Sequence, residues 1–167
     1  MIFRQRPKSG AEPFLPATFK IHHRALKVIY RMFKILIIDP NTAFRKSLKK
    51  SLNSQFPAAE LRDTATGEEG LKQMDNFAPH LIFMDLYLPD IGGLYLSKKI
   101  SEYHSEIILA IFVGYDSPEY QAAANECGVA HLIPKDDWTV KDILALVEAV
   151  SSGTQISHLK KAENDHS

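Results

Sequence analysis

Three short, unbroken apolar runs constrain the fold of this chain more than any other feature: residues 35–38, 81–84 and 107–113. A strand with one wet face alternates apolar and polar side chains. A run without alternation belongs to a strand buried on both faces. The segments between the runs keep a different period. Phe44, Leu48 and Leu52 recur every fourth residue, and Leu71, Met74 and Ala78 follow at helical spacing. Leu96, Ile100 and Tyr103 repeat the signal, then Tyr120, Ala123, Ala124 and Cys127. Val140, Ile143, Leu144, Val147 and Val150 mark the strongest amphipathic helix. Shorter strands are expected at 59–65 and 130–133. Five strands alternating with five helices predict an α/β fold, a parallel sheet covered on both faces, spanning residues 32–152.

Composition supports one such domain. The chain has 167 residues, 45% of them hydrophobic, and none of its apolar runs approaches the length of a membrane-spanning helix. The single cysteine, Cys127, excludes an intramolecular disulfide and a cysteine-built zinc site. It fits a reducing, cytoplasmic setting. The zero net charge conceals two unlike parts. Residues 1–31 hold seven basic side chains against Glu12, a balance of +6, and the remainder carries −6. Gly10, Pro7, Pro13 and Pro16 break up the arm, and a short basic helix fits 19–30. The arm is expected to be disordered or partly helical, without the apolar core of a secretory signal. Met32, directly before the first strand, is an alternative native start. The polar stretch 153–167 is expected to be a disordered tail.

Ligands of open α/β sheets bind beyond the carboxyl ends of the strands, so the polar residue ending each run matters. The first run ends at Asp39, the second at Asp85, and the last strand at Lys135. Two carboxylates and an ammonium on one sheet edge can hold a divalent cation beside an anion. Each residue also has a plainer reading. Asp39 before Pro40 fits a helix cap with proline at the first helical position. Asp85 fits a structural pairing with Lys135, and Lys135 fits a surface lysine.

These residues carry a resemblance to the receiver domain of bacterial two-component response regulators. Pro79-His80-Leu81-Ile82-Phe83-Met84-Asp85-Leu86-Tyr87-Leu88-Pro89-Asp90-Ile91-Gly92-Gly93 is similar to the family's phosphoacceptor strand and the turn after it. Thr66-Gly67-Glu68-Glu69-Gly70-Leu71 resembles the turn opening its second helix. Glu119-Tyr120 and Glu126-Cys127-Gly128-Val129 resemble its fourth helix and the following turn. Leu132-Ile133-Pro134-Lys135-Asp136 resembles its lysine-bearing fifth strand. The resemblance implies a flavodoxin-like, doubly wound sheet of strand order 2-1-3-4-5. It also implies that Asp85 takes a phosphoryl group from a histidine kinase or phosphotransfer protein, with Lys135 pairing the phosphoryl oxygens. Mg²⁺ would be held by Asp39, Asp85 and the backbone carbonyl of Tyr87.

Three positions depart from the family. Pro40 stands where a second acid is usual, so Mg²⁺ binding is expected to be weak. Val113 replaces a threonine or serine whose hydroxyl would bond the phosphoryl group. Tyr115, Asp116 or Ser117 would compensate only with a shifted loop. Leu132 replaces the switch aromatic. The expectation is an atypical, stand-alone receiver without enzymatic activity of its own. It would act through an unidentified downstream protein, or as a homodimer through the face of helix 4, strand 5 and helix 5. The alternative is a degenerate receiver that binds partners without phosphorylation. An enzyme on a flavodoxin-like fold lacks a nucleotide loop here. The 15 residues after 152 are too few for a DNA-binding domain. His22 and His23 read as surface residues, and Tyr30, Phe112 and Trp138 as packing aromatics.

Overall fold

The computed structural model describes residues 33–115 and 117–153. The basic arm, its expected helix with His22, His23 and Tyr30, residue Asp116 and all of the polar tail except Gly153 lie outside the described residues. Ten elements alternate: β1 (Lys34–Ile38), α1 (Thr42–Gln55), β2 (Glu60–Thr64), α2 (Gly67–Phe77), β3 (Leu81–Asp85), α3 (Gly93–Tyr103), β4 (Ile108–Val113), α4 (Pro118–Glu126), β5 (His131–Pro134) and α5 (Val140–Ser151). All strand pairs are parallel, in the order β2-β1-β3-β4-β5. No helix among the described residues is long and apolar enough to cross a membrane.

The unbroken apolar runs serve two cores at once. Leu36, Ile38, Ile82, Met84, Leu109 and Ile111 face one side of the sheet, with Met74 and Phe77 of α2, Leu96 and Ile100 of α3 and Ala124 of α4. Ile35, Ile37, Leu81, Phe83, Ala110 and Phe112 face the other, under Leu48 and Leu52 of α1 and Ile143, Leu146 and Val147 of α5. Period-two side-chain direction on doubly covered strands produces this division. The flanking strands are less apolar because each has one open edge. β2 alternates in burial, and all four residues of β5 are half-buried.

Capping departs from the sequence expectation at α1. Asn41, not Asp39, is the N-cap, its Oδ1 accepting the Phe44 N–H at 3.0 Å. Pro40 therefore precedes the cap instead of opening the helix. Asp39 is left for the sheet edge. Elsewhere Thr66 caps α2, Ser117 caps α4 with Pro118 at the first position, and Thr139 forms a two-way capping box with Asp142 on α5.

The start of α3 presses on the loop after β3. A Cβ on Gly93 would lie 2.7 Å from the carbonyl oxygen of Leu86 and 2.8 Å from that of Asp85, whereas one on Gly92 would meet nothing within 4 Å. The contact therefore opposes a side chain at Gly93, whereas Gly92 is the extended N-cap of α3 with open space around it. Gly93→Ala is expected to lower unfolding stability by about 2 kcal/mol. Gly92→Ala, which meets no steric contact and loses only the N-cap preference for glycine, should lower it by less, about 0.5–1 kcal/mol. Urea unfolding of the two variants side by side checks the difference.

Candidate functional site

Parallel register brings three strand ends to one edge, and with them the three residues singled out from the sequence. Asp39 follows β1, Asp85 ends β3 and Lys135 follows β5. The Lys135 Nζ donates to Asp39 Oδ2 at 3.2 Å and makes a closer contact with Asp85 Oδ2. Asp39 is 1% exposed and Asp85 7%, while the Lys135 side chain keeps 30% of its surface open. Asp85 and Lys135 are therefore paired, and Asp39 shares the same ammonium.

The remaining carboxylate oxygens are held by backbone. Asp39 Oδ1 accepts the Asn41 N–H at 2.7 Å, and Asp85 Oδ1 accepts the Tyr87 N–H at 2.7 Å. Burial pushes the Asp39 carboxyl above its ordinary range; the Asn41 N–H and Lys135 pull it back only in part, and Asp85 adds repulsion. Burial draws the Lys135 ammonium down, but its bonds to Asp85 and its attraction to both carboxylates outweigh that and leave it raised. The ammonium is thus fixed as a cation.

Further residues anchor this edge, of which Arg45, Lys49 and Asp63 carried no sequence signal. Arg45 on α1 donates from Nη1 to the Asp39 carbonyl at 2.5 Å and from Nε to Asp63 of β2 at 2.9 Å. Lys49 joins the same Asp63 carboxylate at 2.6 Å. Asp90, in the loop after β3, spans back to α2 and accepts the N–H groups of Gly67 and Glu68 at 3.0 and 2.7 Å. The Tyr87 and Tyr120 hydroxyls meet at 2.6 Å, and Tyr115 packs edge-on to Tyr120. Phe44, read from the sequence only as helix face, lies with its ring 5.1 Å from the Lys135 Nζ.

The three departures take definite places. Pro40 is exposed beside Asp39 and offers no side-chain ligand. Val113, 1% exposed, belongs to the core, and its carbonyl accepts the Lys135 N–H at 2.7 Å. The Ser117 hydroxyl is engaged as the α4 cap, accepting the Tyr120 N–H at 3.2 Å. Tyr115 is exposed. Neither takes the place of a hydroxyl at 113. Leu132 packs partly buried against the core that α2, α3 and α4 cover.

The donor set suits a hard divalent cation only in part. Two carboxylates converge, but no group of three His, Cys, Asp or Glu side chains able to hold a metal occurs among the described residues. Mg²⁺ normally keeps several waters and one or two carboxylates, so Asp39 and Asp85 meet the minimum.

Comparison with known proteins accords with this geometry. The family model for the response regulator receiver domain matches residues 35–148. The transcriptional regulatory protein YdfI of Bacillus subtilis (strain 168) is 29% identical over 63% of this chain and 49% of its own length. A protein-glutamate methylesterase/protein-glutamine glutaminase of Methanosarcina mazei is 27% identical over 75% of this chain and 36% of its own. The chain thus spans about half or less of the length of these curated relatives. Among solved structures, a CheY-like response regulator receiver domain protein from Methanospirillum hungatei JF-1 is 28% identical, with a TM-score of 0.66 over 72% of this chain and 94% of that one. The BeF3-activated DrrB receiver domain, 23% identical with a TM-score of 0.65 over 72% of this chain and 98% of its own, shares the fold. The family match covers most of the chain, including both aspartates and the lysine: this protein belongs to the response regulator receiver domain family.

Proposed function

We propose that this receiver takes a phosphoryl group on Asp85 from a phosphohistidine of a kinase or phosphotransfer protein, and passes the signal on through protein contacts. The observation that carries the reading is Asp85 at the end of a fully buried strand with its carboxylate on the Lys135 ammonium. An Asp85 oxygen attacks phosphorus, the P–N bond breaks, and the imidazole leaves with its electron pair. The Tyr87 N–H holds the carboxylate in place, and Lys135 offsets charge on the transferred group. Asp39, Asp85 and the Tyr87 carbonyl would hold Mg²⁺ weakly, Pro40 leaving the set one carboxylate short. The ion would supply charge neutralisation at the phosphoryl oxygens.

The chain is read as cytoplasmic and without catalysis beyond its own phosphorylation. The downstream partner, or a second copy, would meet the face of α4, β5 and α5. The losses at Pro40, Val113 and Leu132 favour a second reading, a receiver that binds partners in one state without phosphorylation. Incubation with Mg²⁺ and a small acyl phosphate donor separates the two. A phosphoryl mass adduct that disappears in Asp85→Asn is expected. No adduct at donor excess, with an ordinary receiver as positive control, leaves only the second reading.

Asp39 gives a pH signature of a functional acid kept at a cost in stability. Its folded-state carboxyl lies above the ordinary value of 3.8, so the fold favours the protonated form. This group's contribution to stability therefore falls as pH rises from about 3.8 through the raised value. Asp39→Asn is expected to raise stability at pH 7. That gain should shrink as pH falls toward 3.8, and denaturant unfolding at pH 7, 5 and 4 measures it. A loss of stability at pH 7 would make Asp39 a structural group instead.

A further inference from the structure

Lys135 is held on a side that is not a carboxylate. Its Nζ faces the Phe44 ring, 5.1 Å from the centroid. Phe44 meets Trp138 edge-on, with centroids 5.9 Å apart and planes at 84°, and meets Phe112 at 5.0 Å and 83°. Trp138 closes the triangle against Phe112 at 5.6 Å. Trp138 lies in the β5–α5 connection, immediately before Thr139, whose capping box with Asp142 starts α5. One aromatic cluster therefore touches the site ammonium at one end and the first turn of α5 at the other.

The chemistry of each contact is specific. An ammonium near a ring is drawn to the negative face of its π-system. Leucine would fill the same face of α1, but it has no such face. Phe44 and Trp138 are half-buried and both rest on the fully buried Phe112, so a shift of one ring changes the packing of the other.

We propose that Phe44 is a positioning residue for Lys135, and that Phe44 and Trp138 transmit the place of the Lys135 ammonium to the start of α5. The trigger rests on the phosphoacceptor reading; the contacts do not. A phosphoryl group on Asp85 gives Lys135 new acceptor oxygens. The ammonium moves toward them, its hold on Phe44 changes, and Trp138 repacks. Phe44 would act through Lys135.

Trp138 is the only tryptophan in the chain, so its fluorescence reads this route. Without any donor, Lys135→Met is expected to shift Trp138 emission in the wild-type background and to leave it unshifted in a Phe44→Leu background. With Mg²⁺ and a small acyl phosphate, wild-type emission should change in step with the mass adduct. Phe44→Leu should form the adduct about three- to tenfold more slowly and show no emission change. Phe44→Tyr keeps a ring and should restore both. A wild-type rate and emission response in Phe44→Leu overturns the proposal, as does an unshifted Trp138 in Lys135→Met. If the wild type forms no adduct, the phosphoacceptor reading fails, and the donor-free comparison alone decides the role of Phe44. Circular dichroism verifies folding, and Phe44→Met replaces the leucine variant if that one does not fold.

Discussion

One ammonium between two buried carboxylates is the interaction around which this sheet edge is organised. Asp39 and Asp85 are almost wholly removed from water, and a pair of buried like charges is costly unless a cation compensates it. Lys135 supplies that cation from 50 residues beyond Asp85 and 96 beyond Asp39. No local structure could bring them together. Parallel pairing does so because β1, β3, β4 and β5 all run the same way and their carboxyl ends meet along one edge. The Lys135 N–H on the Val113 carbonyl then fixes the half-buried outer strand to the same edge.

The sequence disclosed the parts of this arrangement that depend on two-sided burial. Residues 35–38 and 81–84 admit few polar substitutions when both faces are covered, so the strands, and the aspartates ending them, stand out. β2 and β5 were less sharply bounded because an edge strand retains polar and half-exposed positions. The plainer reading of Asp39 as the cap of α1 fails for a local reason. Asp followed by Pro satisfies the rules for a helix start, yet Asn41 takes the cap, and the Asn41 N–H and Lys135 hold the Asp39 carboxylate at the edge. Arg45 and Asp63 carried no local signal, and Asp90 appeared only as part of the turn after β3. Asp90 caps α2 from 22 and 23 residues away, a spacing no helical or strand period contains. Phe44 had the right periodicity, yet period alone does not say that the first turn of α1 rises to the level of Lys135.

Pro40 alters the charge balance at this edge. With a second acid there, one ammonium would face three carboxylates, and a divalent cation would be the natural complement. Proline leaves two carboxylates against one ammonium, so Lys135 offsets a larger share of the negative charge. Proline at this position therefore makes the lysine more central to holding the Asp85 carboxylate. Its surroundings matter correspondingly more.

Chemistry and readout then separate. The Asp85 carboxylate, its backbone donor and its cation are all in place, whereas positions 113 and 132 carry valine and leucine, without hydroxyl or ring. Val113 is enclosed in the core and Leu132 packs against it, so neither has the polarity or shape to register charge at Asp85. A group that senses that charge must be in contact with it. Lys135 is such a group, and its uncharged ring neighbour is Phe44, which leads to Trp138 and α5. Tyr87 is the other, through its N–H on Asp85 and its hydroxyl on Tyr120 of α4. Two aromatic contacts thus adjoin the groups bonded to Asp85: Phe44 and Trp138 beyond Lys135, and Tyr120 beyond Tyr87.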